Sequence, residues 1–136
     1  MISLAVGAAG VEEHPPFLLL AGFAESADGG WSFAFQCDLR MNDYEQDSNW
    51  PEGESYCVST ERGLTRYGCV REIEVREGVV IRVAFTEGAV RDLRLPDSEY
   101  EFRVAADGAD VPGLLAVLRQ ILTCGRPEYC PRILGM

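Results

Sequence analysis

Hydrophobic residues in this chain fall into short runs with a period of about two, separated by turn-forming residues, until one stretch near the C-terminus changes to helical spacing. Phe17-Leu18-Leu19-Leu20-Ala21-Gly22-Phe23-Ala24 follows Pro15-Pro16, and its length and flanking breakers predict a central strand. After the turn residues Ser26 to Gly30, the side chains of Trp31, Phe33, Phe35, Cys37 and Leu39 alternate with smaller or polar ones, which predicts a hairpin with the first run. Tyr56 to Thr60 is a weaker strand, followed by a turn at Glu61-Arg62-Gly63. Cys69 to Arg76 and Val79 to Phe85 make a second hairpin about Glu77-Gly78, with Val79, Ile81, Val83 and Phe85 on one face.

Thr86 to Leu93 reads as one or two helical turns capped by Thr86 and ended by Pro96; Gly88 weakens them by about 1 kcal/mol relative to alanine. In Glu99 to Val104, Tyr100, Phe102 and Val104 point inward, and Asp107-Gly108 turns out of the strand. The clearest helix is Val111 to Leu122, with Asp110 as N-cap, Pro112 in the first turn, and Leu114, Leu115, Leu118, Ile121 and Leu122 as its apolar stripe. Such a stripe has to lie on a sheet. The expected fold is therefore α+β: a mostly antiparallel sheet of roughly six strands, one face covered by the C-terminal helix, with a short helix before the last strand.

The length of 136 residues fits one domain, taken as residues 1–136 with 124–136 as a tail beyond the helix. A net charge of −10, carried against twelve arginines and no lysine, disfavours nucleic acid and anionic membranes as partners, since both need clustered positive charge. The apolar run from Phe17 to Phe23 is far short of the ~20 residues of a membrane span. The first basic residue is Arg40, so no leader is expected, and five cysteines without Cys-x-x-Cys spacing fit a reducing cytoplasm, with Cys37, Cys57 and Cys69 as small buried hydrophobes. No feature of the sequence fixes an oligomeric state.

The segment from Met41 to Tyr56 contains five carboxylates, no basic residue and three aromatics. Charge runs are usually solvated loops, but a purely solvating loop has little use for aromatic rings, which anchor interfaces. Asp43, Tyr44, Glu45, Asp47, Trp50, Glu52, Glu54 and Tyr56 are accordingly the candidate partner-binding residues, suited to a cationic protein.

Asp43, Glu45, Asp47, Asn49 and Glu54 also fall in a calcium-loop register, but Ser48 stands where the sharp turn needs glycine, so neither a metal nor any other cofactor is expected. His14 is the only histidine and sits in a surface-like stretch, Glu12-Glu13-His14-Pro15-Pro16, which leaves a nucleophile without a base and predicts no catalytic residue. Gly7-Ala8-Ala9-Gly10 lacks the spacing and the lysine of a phosphate loop.

Four stretches, in order, resemble the immunity protein 10 family: Phe17 to Glu25; Glu45-Gln46-Asp47 followed by Gly53 and Tyr56; Tyr67-Gly68-Cys69-Val70; and the leucine-rich closing helix. The resemblance runs from Pro16 to Leu122. It departs from the family's pattern at Cys69, where a second glycine is usual, and at Gln36-Cys37, where a Gln-Arg pair is common. It implies a small α+β protein that neutralises a cognate toxin of a bacterial polymorphic toxin system, and it carries over no toxin-contact residues. The expected function is toxin binding through the acidic, aromatic-bearing segment; the rival expectations are a small carboxylate enzyme and a regulatory or scaffold module.

Overall fold

The alternating runs do become strands, but they assemble into two sheets. The protein is described here by a computed structural model covering residues 1–44, 47–104 and 110–136. The predicted turn at Asp107-Gly108 lies outside the described residues. In chain order the elements are β1 (Ile2–Val6), β2 (Ala8–His14), β3 (Leu18–Ser26), β4 (Gly29–Asp38), β5 (Cys57–Thr60), β6 (Thr65–Tyr67), β7 (Val70–Arg76), β8 (Val80–Phe85), α1 (Glu87–Asp92), β9 (Glu99–Val104), α2 (Val111–Leu122) and β10 (Arg132–Leu134). The α+β class and the mostly antiparallel pairing agree with the sequence pattern.

One sheet has the order β2-β3-β4-β5-β6, all antiparallel; the other is β1-β9-β8-β7-β10, with both edge strands parallel to their neighbours. Gly7 is the one residue between β1 and β2, where the chain leaves one sheet for the other. A Cβ there would stand 2.1 Å from the Glu25 carbonyl oxygen, so this crossing excludes a side chain.

Because side chains alternate across a strand, Leu19, Ala21 and Phe23 of β3 share the inner face with Phe33, Phe35 and Cys37 of β4. Phe23 and Phe33 meet Phe102 of the second sheet at centroid distances of 5.0 and 5.3 Å, and Phe33 also stacks on Phe85 at 5.8 Å. Helix α2 lies against β2, β3 and β4, and buries Leu114, Leu118, Ile121 and Leu122 in the same cluster. Both predicted caps are present: Asp110 Oδ1 accepts from Gly113 N at 3.0 Å, and Thr86 Oγ1 from Ala89 N at 3.2 Å.

Two details differ from the pattern. Val79 is 42% exposed and precedes β8, so the inward face of that strand is Ile81, Val83 and Phe85 without it. Residues beyond α2 form a strand, β10, that pairs with β7 through Ile133 opposite Ile73. All five cysteines are free thiols, and burial pushes the Cys69 thiol up to about 12, where it stays protonated and unreactive at neutral pH.

Candidate partner-binding surface

The acidic segment joins β4 to β5 and is built from two short 3-10 turns, Leu39–Asn42 and Pro51–Glu54. Asp38 caps the first by accepting from Arg40 N at 2.9 Å. Pro51 fits the start of the second because proline has no N–H to lose there. Ser55 closes that turn by donating its hydroxyl to the Glu52 carbonyl.

Trp50 stands at the head of the second turn and is 55% exposed. Its ring meets Tyr67 of β6 edge-on at 5.0 Å and lies over Gly53, where a Cβ would come within 2.5 Å of the indole. The ring is thus held by a neighbouring aromatic and a bare stretch of backbone while much of it faces solvent. An anchor already in place loses little freedom on binding. In the same segment Asp43 and Asp47 are exposed and Glu52 is half-buried, and none of the three forms an ion pair among the described residues.

Both ends of the loop are clasped by the segment after α2. Gly125 N donates to Asn42 Oδ1 at 2.9 Å, Arg126 N donates to the Glu54 carbonyl at 3.0 Å, and Ser55 bridges Gly125. The Arg126 side chain, 6% exposed, binds Glu54 at 3.1 Å and Glu128 at 3.5 Å and places its guanidinium 4.8 Å from the Tyr44 ring centroid. Glu54 is therefore committed to the loop's own architecture, which removes the twelfth position of the calcium-loop register. Tyr44 likewise packs inward on Arg126.

Tyr56 is a correction to the sequence reading. It is fully buried, so it offers no ring to a partner. Its hydroxyl accepts from Val70 N at 2.9 Å and lies 3.2 Å from the Val70 carbonyl and 3.1 Å from that of Tyr129; burial pushes the phenol well above its ordinary range. Tyr56→Phe should lower stability by about 1–3 kcal/mol, because it strands a buried N–H, while leaving partner affinity of the folded protein unchanged. Urea unfolding beside a binding titration checks both. Glu45 lies outside the described residues.

The structure thus keeps Trp50, Asp43, Asp47 and Glu52 as surface candidates and assigns Tyr44, Glu54 and Tyr56 to support. It adds Tyr67, Gly53 and the clasp at Gly125 and Arg126. Tyr67 and Gly53 both had a sequence signal, in the stretches that resemble the family; Gly125 and Arg126 fell in the segment taken as a tail beyond the helix. Tyr67, the ring that Trp50 meets, also lines an open groove of about 480 Å³ whose charged lining residues are Glu52, Glu128, Arg66 and Arg71.

Two other features bear on chemistry. A concavity lined by Glu72, Glu74 and Glu99 holds only about 40 Å³, close to the size of one water, and Arg76 keeps the Glu74 carboxyl below its usual range rather than poised as an acid. His14 is 58% exposed and, among the described residues, pairs only with exposed Glu12 at 3.1 Å. His14→Ala should shift stability by no more than about 0.5 kcal/mol and leave partner binding intact, as thermal melts and a binding titration would show.

No helix among the described residues is long and apolar enough to cross a membrane. None of the curated proteins and none of the solved structures matches the chain. The sequence profile of the family described as Immunity protein 10 matches residues 5–112 of the 136, taking in β2 to β9, the acidic loop and α1. Members of such a family serve as immunity proteins, which bind cognate toxins and are not a class of enzyme, and this chain belongs to the immunity protein 10 family.

Proposed function

We propose that this immunity protein works in the cytoplasm as a single domain, binding a cationic toxin of a polymorphic toxin system and blocking it without catalysis, with the Trp50-bearing acidic loop as its recognition surface. The observation that supports this reading is one half-exposed indole, fixed by Gly53 and Tyr67, in a segment whose carboxylates Asp43, Asp47 and Glu52 form no ion pair among the described residues. A fixed aromatic supplies affinity, and an uncompensated negative field draws a basic partner in and orients it. Blocking a toxin asks for no more than that. The same negative field repels nucleic acid and anionic lipid.

The test is association kinetics with the purified cognate toxin. Asp43→Asn, Asp47→Asn and Glu52→Gln together should slow association roughly fivefold at low salt, flatten its salt dependence and leave dissociation nearly unchanged, the signature of lost steering. Glu54 stays as it is, since its carboxylate holds the loop together. If the triple variant, folded by circular dichroism, associates at the parent rate with the parent salt slope, the recognition surface lies elsewhere.

A further inference from the structure

The fold brings together two thiols that stand far apart in sequence. Alternation along β4 sends Cys37 to the inner face with Phe33 and Phe35, and α2 lies against that strand, so Cys124, two residues past the helix, is buried in the same cluster. The Cys124 thiol donates to the Asp38 carbonyl at 3.4 Å, one residue along from Cys37. The two thiols also share a hydrogen bond, which raises Cys37 above the ordinary thiol range and lowers Cys124. Sulfurs that share a proton are in contact, and side-chain rotation carries them from contact to the roughly 2.05 Å of a disulfide.

The other three thiols are placed elsewhere. Cys57 stands directly across from Gln36, so it lies on the opposite face of the sheet from Cys37. Cys69 donates to the Arg66 carbonyl at 3.5 Å, and Cys130 to the Arg126 carbonyl at 3.8 Å. Position gives the remaining pair its use. Cys37 runs into Asp38, the cap of the acidic loop's first turn, and Cys124 runs into Gly125 and Arg126, whose N–H groups hold the Asn42 side chain and the Glu54 carbonyl.

We propose that Cys37 and Cys124 form a redox clip that closes when the glutathione pool turns oxidising and locks the segment after α2 onto the base of the acidic loop. The Cys124 sulfur attacks glutathione disulfide, breaking its S–S bond and releasing one glutathione; the Cys37 sulfur then attacks Cys124 Sγ and expels the second. The two protein thiols lose two electrons, and each departing glutathione sulfur takes up one of their two protons. Both cysteines are 2% exposed, so the exchange takes place during folding or local opening, while the segment after α2 is undocked. This assignment is independent of how the toxin is bound.

The reduced, unfolded protein is refolded in mixtures of glutathione and glutathione disulfide of rising oxidation, its free thiols are blocked with N-ethylmaleimide, and its peptides are mapped by mass spectrometry. Three labels should appear in place of five, with one linked peptide pair joining Cys37 to Cys124 and no retained glutathione. The bond closes a long loop, so oxidation should raise the thermal midpoint by about 5–10 °C. It should also slow hydrogen exchange at the Gly125 and Arg126 amides, and Cys37→Ala should show neither response. Five labels at every ratio, glutathione left on Cys124, or a link from Cys124 to Cys130 overturns the proposal, and each is read in the parent protein whatever the stability of the variant. A Cys37–Cys124 link that leaves both amides exchanging at the reduced rate overturns the lock on the loop.

Discussion

Phe102→Ala is expected to lower the free energy of unfolding by about 3–5 kcal/mol, the range for emptying a buried phenylalanine site. Phe102 is fully buried on β9, registered between Leu4 of β1 and Ile81 of β8. Its ring touches Phe23 at 5.0 Å, Phe33 at 5.3 Å, Tyr100 at 5.8 Å and Trp31 at 5.9 Å, three of these partners belonging to the opposite sheet. Rings so placed add roughly 0.5–1.5 kcal/mol per pair beyond area burial. A domain of this size has only about 5–15 kcal/mol in total, so losing the ring removes a large share of it. Urea unfolding with an unchanged slope would report a true stability loss; a change under 1 kcal/mol would mean that the two sheets do not depend on this residue.

Trp50→Ala is expected to cost at least 2 kcal/mol of toxin affinity, about thirtyfold, with little effect on folding. The indole is 55% exposed and rests on Gly53 and Tyr67, so the fold loses one edge contact at 5.0 Å while the interface loses its anchor. The loss should appear in dissociation, the complement of the charge-neutralised variant, whose loss appears in association. Calorimetry and stopped-flow kinetics with the purified toxin separate the two. Parent affinity in a folded Trp50→Ala protein would remove the loop from the interface.

The strongest patterns in the sequence became the strongest elements. Trp31 to Asp38 became β4 because alternation in a strand buried on one face leaves little choice of register, and the predicted alternation overran it only at Leu39, which opens the first 3-10 turn. Asp110 and Thr86 were readable as caps because capping is a contact made within a few residues. The division into two sheets was not readable. Ile2, Leu4 and Val6 alternate, yet β1 is defined by its parallel pairing with β9, almost the whole chain away. β2 is an exposed edge of Ala, Gly and Glu with no apolar face to announce it. The three-residue strands β6 and β10 are too short for a period to appear. At the candidate surface, composition singled out a loop but could not separate its rings. Trp50 and Tyr56 look alike as aromatic residues in an acidic run; only the tertiary structure turns one outward and binds the other to Val70 and Tyr129.

The clasp on the acidic loop has a consequence in time. Its hydrogen bonds join residues 72, 73 and 83 positions apart, from Arg126 to Glu54, Tyr129 to Tyr56 and Gly125 to Asn42, and residues 124–130 lie beyond the stretch that the family profile matches. At a synthesis rate of about 5–20 residues per second, the loop waits several seconds after its own residues emerge before the segment that shapes it exists. A ribosome-bound chain therefore carries Trp50 without the finished surface around it. If this loop is the recognition surface, binding begins only once the C-terminal segment has been made and has docked on it.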